Sequence, residues 1–511
     1  MKPFPPKDPL PRSIYIIAAA VAAAHVALSF SPWYEMFRDE FYYLACAARL
    51  DAGYVDHPPL SVWLLAGVRA MLGDSVAAVR LLPALAAGAT TAVAGMLARA
   101  MGAQRTGMVL AALFAAGVPI LHALASFYSM NAFEPLLWGI TLLCLFRALD
   151  RQRPRDWMWL GLLLGIGLMN KHTMILLPAA LLPALLLTGQ RRVLGTKGPW
   201  IAAAITCCIV LPNILWQWAY GFPSLEFYAN ATKYKNIPTS PLEMVFLQSM
   251  VGNIFFLPVW IAGVWWLFVH DNGRWRFLGW TVISTYLIFL ATQSSRPDRI
   301  AGMYVLCAAA GGGALGAWLA HRAALARSGA IAAITLAGIA MLPLVLPLFP
   351  PVTQSRVMGL AGMNRQFEKD QRAPLPQHLA DRFGWRDMAA DIARACALLT
   401  PEERAVAAIG ASNYGEAGAL EYYREEYNLP PTLATHNSYF HWGPGDTSGE
   451  VMIMIGTSEE ELHEMFEDVQ NTWIIHWGGF AMGFENDLPI YICRRPRVPL
   501  KELWPKLKKY V

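Results

Sequence analysis

Charge is scarce in this sequence. Only 15% of its 511 residues are Asp, Glu, Lys or Arg, against 56% hydrophobic, and the mean hydropathy is +0.36. A soluble domain carries about 25% charged residues. The deficit excludes one compact soluble domain and points to a chain that crosses a membrane several times. Cysteine is sparse as well. None of the seven forms a CxxC pair, and Cys144, Cys207, Cys208 and Cys307 fall in apolar segments, where they read as small core residues. Cys396 and Cys493 lie further on, and nothing in the sequence pairs them. HExxH, CxxC…CxxC, GxSxG and Walker patterns are missing, so no signature of a zinc site, a nucleophile elbow or a phosphate loop is present. Internal repeats and low-complexity segments are missing too. The net charge of +5 is modest and falls largely in short loops, so it does not call for a nucleic-acid partner.

What charge there is falls unevenly. Residues 13–350 are long apolar runs with short charged gaps, and from Gln354 onward the charge density is that of a soluble domain. A helical span needs about 20 apolar residues. Candidate spans run near 13–30, 76–98, 107–125, 132–149, 157–170, 172–189, 199–219, 243–269, 277–293, 300–320 and 329–349, eleven in all. With the N-terminus inside, the cytoplasmic loops hold Lys2, Lys7, Arg12, Arg99, Arg105, Arg147, Arg151, Arg153, Arg155, Arg191, Arg192, Lys197, Arg274, Arg276, Arg322 and Arg327. The opposite side holds Arg38, Arg49, Arg69, Arg80, Lys171, Lys233, Lys235, Arg296 and Arg299. Sixteen against nine follows the positive-inside rule, and the bias recurs in alternate loops. The start of the chain reads as an uncleaved first span, because further spans follow it. The expected organisation is a transmembrane body over 1–350 and an extracytoplasmic α/β domain over 351–511.

The first outer loop, about 31–75, contains two amphipathic pieces, Asp39–Leu50 and Leu60–Leu72, separated by the Pro58–Pro59 turn. Such helices lie in a membrane interface. A second outer loop, about 220–242, carries Tyr220, Phe222, Phe227, Tyr228, Tyr234, Lys233 and Lys235, which suits a headgroup region. In the tail, Ala405–Ala411, Val451–Gly456, Thr472–Trp477 and Pro489–Cys493 read as strands. Tyr414–Glu426 and Glu459–Val469 read as helices. Strands alternating with helices suggest a small sheet covered by helices.

Four groups of residues could carry chemistry. Asp39 and Glu40 are adjacent carboxylates at an interfacial helix start; alone they are equally a solvated pair near a helix N-terminus. His57-Pro58-Pro59, on the same loop, is an elbow or only a turn. Glu134 sits near the outer end of a span, where a carboxylate costs roughly 2.5–3.5 kcal/mol and faces a cavity or partner. Lys171, in Asn170-Lys171-His172, either snorkels to headgroups or grips a phosphate. Arg296, Asp298 and Arg299 share a short outer loop, where the charges pair with one another or the two arginines clamp a phosphate. Acids and cations thus recur on one membrane face. That suits transfer of a group from a lipid phosphate: a carboxylate deprotonates the acceptor, and cations stabilise the departing phosphate.

Several stretches resemble a known family: Asp39-Glu40-Phe41-Tyr42-Tyr43, Gly53-Tyr54-Val55-Asp56-His57-Pro58-Pro59-Leu60, Met130-Asn131-Ala132-Phe133-Glu134 and Gly165-Ile166-Gly167-Leu168-Met169-Asn170-Lys171-His172. In the tail, Ala380–Trp385, Ser412–Gly418 and His436–Tyr439 extend the likeness. The chain resembles the bacterial glycosyltransferase family 39 proteins, relatives of the protein mannosyltransferases and of the lipid A aminoarabinose transferases. The resemblance implies a GT-C fold: a polytopic α-helical membrane protein with interfacial helices, an outward-facing active site and a C-terminal α/β domain. It implies a bacterial inner-membrane enzyme that takes a monosaccharide from a polyprenyl-phosphate donor, with inversion, to a lipid, glycan or protein acceptor. Asp39 would be the base, Glu40 would orient the acceptor, and Glu134 matches a second catalytic carboxylate. His57, Lys171, His172, Arg296, Arg299 and Tyr304 are the expected substrate and phosphate contacts. No cofactor is implied; the mannosyl and aminoarabinosyl relatives need no catalytic metal, whereas oligosaccharyltransferases of related fold need one. There is one departure: many relatives carry a basic residue, Pro and two tyrosines where this chain has Arg296-Pro297-Asp298-Arg299.

A transporter or flippase of polyprenyl-phosphate sugars would share the interfacial features. It also predicts inverted repeats and midplane polar residues. No inverted repeat is found, and the notable charges lie at the outer face. In the tail, Trp385, Tyr414, His436 and Trp442 are candidate sugar contacts and equally candidate core aromatics.

Overall fold

The computed structural model of the chain describes residues 9–293, 296–362 and 373–511. Up to Leu360 every regular element among the described residues is helical; strands begin at Ala407. Five helices are long and apolar enough to cross a membrane: Val76–Ala100, Met130–Arg151, Lys197–Ala219, Ile254–Gly273 and Ala324–Leu344. Two bent pairs, Arg105–Ala116 with Pro119–Ala125 and His172–Leu186 with Gly189–Gly195, raise the number to seven if each is one span. The eleven expected spans are therefore not all continuous helices of spanning length. The apolar helices Arg12–Leu28, Arg276–Ala291 and Met303–Leu319 have 17, 16 and 17 residues. Two breaks have a local cause. Pro119 has no amide hydrogen and holds Val118 extended, and the chain bends by 57° there. Asn253, at φ 73, divides the run expected over 243–269 into Pro241–Val251 and Ile254–Gly273.

The chain divides into two compact units that interleave in sequence. The first holds Met1–Ser31, Arg80–Trp216 and Ile237–Leu348. Its helices meet through small residues. A Cβ on Gly312 of Met303–Leu319 would lie 2.5 Å from the Ala111 amide nitrogen and 2.6 Å from the Gly107 carbonyl oxygen on Arg105–Ala116. On the other side of the same helix, a Cβ on Gly263 would lie 2.6 Å from the Gly311 nitrogen. Without side chains at these points the backbones approach to contact, which is how apolar helices associate where lipid removes the hydrophobic drive.

The second unit holds Pro32–Val79, Gln217–Asn236 and Phe349–Val511. Both expected outer loops thus pack with the tail. Five strands form one sheet: β1 (Ala407–Ala411), β2 (Thr432–Ala434), β3 (Val451–Ile455), β4 (Phe466–Ile475) and β5 (Leu488–Pro496), in the order β2-β1-β3-β5-β4. β1 runs parallel to β2 and β3; β5 is antiparallel to β3 and β4. The three residues of β2 carry too little pattern to be read from sequence. The helix expected over 459–469 stops at Met465, and Phe466 opens β4 instead. Pairing with β5 from Phe466 to Ile475 overrides the helical spacing there. The helix Trp385–Cys396 buries Trp385, Met388, Ala389, Ile392, Ala395 and Cys396, one face at helical spacing. Cys396 and Cys493 are both free and buried.

The helix Arg38–Ala47 fixes the rest of this unit. It packs along Tyr414–Tyr422, the helix that follows β1. A Cβ on Gly418 would stand 2.8 Å from the Phe41 carbonyl carbon, and one on Gly415 2.2 Å from Arg38 Cγ. Gly418 lets the two helices touch backbone to backbone, and Gly415 makes room for the Arg38 side chain.

Candidate active site

Arg38–Ala47 begins where the extended Phe37 turns into the first helical turn. Glu40 Oε2 accepts the Phe37 amide hydrogen at 2.8 Å. This satisfies one of the four amide groups that every helix start leaves without a partner. Glu40 is fully buried in this role. Of the ten residues in the helix, nine are buried; Asp39 is the exception. The adjacent acids therefore differ in what they face. Glu40 closes its own helix, and Asp39 keeps access to what lies outside it.

Asp39 is held from the tail. Asn413 caps Tyr414–Tyr422 by accepting the amide hydrogens of Gly415 and Glu416 at 2.8 and 3.1 Å. That places Tyr414 at the first position of the helix. Its hydroxyl donates to Asp39 Oδ1 at 2.9 Å and accepts from the Arg38 guanidinium at 3.2 Å. Burial, above all, keeps the phenol far above its ordinary pKa; Arg38 opposes this, and Asp39 and Asp56 add to it. The Tyr414 amide donates to His436 Nδ1 at 3.3 Å, so His436 carries its hydrogen on Nε2, 2.8 Å from the Val511 carbonyl oxygen. Burial drives this imidazole down to about 3, which keeps it neutral and able to accept. Arg38 itself is buried between Asp381 at 3.8 Å and Glu485 at 3.6 Å. Burial would lower its pKa, but Asp381, Tyr414, Glu485 and Asp39 outweigh that and hold it charged.

Asp56 and His57 complete this cluster. Tyr42 donates to Asp56 Oδ1 at 2.9 Å and lies 2.7 Å from Ser438 Oγ. Ser438 Oγ in turn accepts the Val55 amide hydrogen at 3.2 Å. His57 stacks on Tyr43 at 4.6 Å between ring centres. Its Nδ1 faces the Pro58 carbonyl at 3.2 Å and so carries a hydrogen, while Nε2 sits 3.9 Å from Asp56 Oδ1. Burial raises the Asp56 pKa; His57 and Tyr42 pull it back, and the charge of Asp39 raises it again.

The first unit holds a second cluster. Lys171 Nζ lies 2.8 Å from Glu134 Oε2 and 3.5 Å from Asp298 Oδ2. Thr173 donates to the other Glu134 oxygen at 2.6 Å, and Arg296 Nε reaches Asp298 Oδ1 at 3.3 Å. Glu134 and Lys171 are 1% and 5% exposed, so each satisfies a charge the other would leave buried. Burial favours the neutral form of Asp298, but Arg296, Lys171 and Arg299 outweigh it and hold the carboxyl well below its usual range. His172 faces Asn213 at 3.4 Å, and Tyr304 points its hydroxyl at the Gln248 backbone and side-chain oxygens, 2.6 and 2.8 Å away.

Glu134, Lys171 and Arg296 are thus brought together, with Asp298 as the hinge of the group. Asp39 and His57 stand in the other cluster with Tyr414 and His436. His172 and Tyr304 are engaged elsewhere within the first unit. Of the tail aromatics, Trp385 is fully buried and packs on Phe41 and Trp477, a core role. Trp442 lies under the Arg49 guanidinium at 4.5 Å. Asp56, Tyr42 and Ser438 were not singled out from sequence, although Asp56 stands beside His57 in its motif. Among the described residues no group of three or more His, Cys, Asp or Glu side chains is placed to hold a metal ion.

The comparisons with known proteins agree with this architecture. The profile of the dolichyl-phosphate-mannose-protein mannosyltransferase family matches residues 56–216. That match covers under half of the chain, and the likeness it marks is to glycosyltransferases. The solved structure of ArnT from Cupriavidus metallidurans bound to undecaprenyl phosphate superposes with a TM-score of 0.59 at 14% identity, over 93% of this chain and 97% of that one. An oligosaccharyltransferase of Archaeoglobus fulgidus superposes with 0.52 at 12% identity, over 82% of this chain and 63% of its own. In sequence, the lipid A galacturonosyltransferase RgtD of Rhizobium johnstonii is 22% identical over 75% of this chain and 82% of its own length. An undecaprenyl phosphate-alpha-4-amino-4-deoxy-L-arabinose arabinosyl transferase of Pseudomonas fluorescens is 25% identical over 49% of this chain, which spans 48% of that protein.

Proposed function

We propose that this chain is a bacterial inner-membrane enzyme that moves a monosaccharide from a polyprenyl-phosphate donor to an extracytoplasmic lipid acceptor, with Asp39 as general base. The observation that carries the reading is the first turn of Arg38–Ala47: one accessible carboxylate, aimed by a tyrosine, on a helix otherwise buried. The names of the relatives support the donor and acceptor class. Asp39 takes the proton of the acceptor hydroxyl as that oxygen bonds to the anomeric carbon. The bond from that carbon to the phosphate oxygen breaks on the opposite face, which inverts the centre. Its electron pair stays on the lipid phosphate, a leaving group that needs no proton. The family likeness assigns Lys171 and Arg296, which share Asp298 in the first unit, to the lipid phosphate. Glu134 holds Lys171 in place. No cofactor enters this scheme.

The test uses the full chain in nanodiscs. Undecaprenyl phosphate carrying labelled 4-amino-4-deoxy-L-arabinose, galacturonic acid or mannose is offered with lipid A. Transfer from one of these donors is expected, and Asp39→Asn should lower its rate by about 10²–10⁴-fold. Near-normal transfer by Asp39→Asn sinks the assignment.

A further inference from the structure

We infer that Tyr414 is the positioning residue of the catalytic base: through its hydroxyl the C-terminal segment fixes Asp39 so that Oδ2 receives the acceptor proton. The inference rests on the reading of Asp39 as base and extends the reacting machinery to a residue 375 positions away. The hydrogen bonds run in one direction. Arg38, with five donors and no acceptor, can only give a hydrogen to the Tyr414 oxygen. That oxygen must then turn its own hydrogen outward, and it points at Asp39 Oδ1. Arg38 cannot swing away, because Asp381 and Glu485 flank it and all three are buried. Tyr414 cannot swing either, since its amide is tied to His436 and its helix is pressed against Arg38–Ala47 at Gly415 and Gly418. One oxygen of Asp39 is thereby occupied. The other meets no donor among the described residues, on the one side chain of its helix that is not buried.

The arrangement also selects the step. A phenol that stays protonated across the working range donates to Asp39 Oδ1 both while the carboxyl is ionised and after Oδ2 has taken the proton. It therefore acts by aim and by stabilising the anion, and it does not itself exchange the proton.

The experiment compares Tyr414→Phe, Asp39→Asn and the double variant in nanodiscs, with whichever of the three labelled undecaprenyl-phosphate sugars is transferred to lipid A. Tyr414→Phe is expected to lower kcat roughly 10- to 100-fold, the worth of a hydrogen bond to a charged group, with KM changed by no more than about twofold. The acid limb of its rate–pH profile should move to higher pH, because the anionic base has lost a donor. On an Asp39→Asn background the same change should cost almost nothing. Tyr414→difluorotyrosine keeps the shape, makes a stronger donor, and should move the acid limb to lower pH even if the phenylalanine variant folds poorly. Tyr491→Phe, on β5, is the control. An unshifted profile in both Tyr414 variants, or equal losses with and without Asp39, overturns the inference while leaving the base in place. Full transfer by Asp39→Asn overturns the base assignment and the inference with it.

Discussion

At the scale of single residues, burial and not sequence neighbourhood decides what a carboxylate does. Asp39 and Glu40 are adjacent, yet one closes a helix turn and the other faces out. Glu416 shows the same rule in the tail. It is 1% exposed, and its oxygens accept from the Ser412 amide, the Ser412 hydroxyl and the Asn413 amide group. Burial nonetheless dominates and lifts its pKa from 4.5 to about 7. A carboxyl raised on folding stabilises the fold fully below its unfolded pKa. That contribution is lost as pH climbs through the folded value. Unfolding free energy should therefore fall by roughly 3 kcal/mol between pH 4.5 and 7 on account of this group. Denaturant titrations of the whole protein by tryptophan fluorescence measure it. The slope should flatten in Glu416→Gln, and an unchanged slope in that variant refutes the account.

At the scale of elements, the first unit is assembled by missing side chains. Gly312 lies against the backbone of Arg105–Ala116, so Gly312→Ala must push two helices apart, at a cost of about 1–3 kcal/mol. Gly329, in Ala324–Met341, has open space where a Cβ would stand. Gly329→Ala should stabilise by up to about 1 kcal/mol through helix propensity alone. Thermal unfolding in one detergent compares the two, and a lower Tm is expected for the first and an equal or higher Tm for the second. Elements also mark where sequence reasoning holds. Leu60–Leu72 appears with the bounds its amphipathic period gives, because an interfacial helix carries its pattern in itself. β2 and the start of β4 do not, because what makes them strands is a neighbour far along the chain.

At the scale of the whole molecule, the charge pattern of the loops makes a testable claim about sidedness. In a cysteine-free background, a cysteine at Ser448 in the tail should react with an impermeant maleimide added to intact spheroplasts, and one at Arg153 only after lysis. The reverse result would invert the topology. The acids of the first loop, the second carboxylate and the basic positions were visible as candidates, since charged residues stand out against apolar runs. What was not legible is which of them touch. Tyr414 and Asp39 are joined by nothing in local sequence, and the Glu134–Lys171–Asp298 group needs three separate stretches of chain to meet. The bounds of the helix expected over 243–269 were not legible either, because one backbone angle, at Asn253, interrupts an otherwise apolar run.

The two glycines beneath Tyr414 have a consequence for modular engineering. Exchanging C-terminal segments between relatives is an obvious route to altered acceptor preference. Here the graft would carry its own replacements for Gly415 and Gly418 against a resident Arg38 and Phe41. Any added methyl at either point meets atoms closer than van der Waals contact allows. The first loop and the tail therefore have to be transplanted as a pair, and a chimera cut at a single junction near residue 350 should fail in assembly before its selectivity can be read.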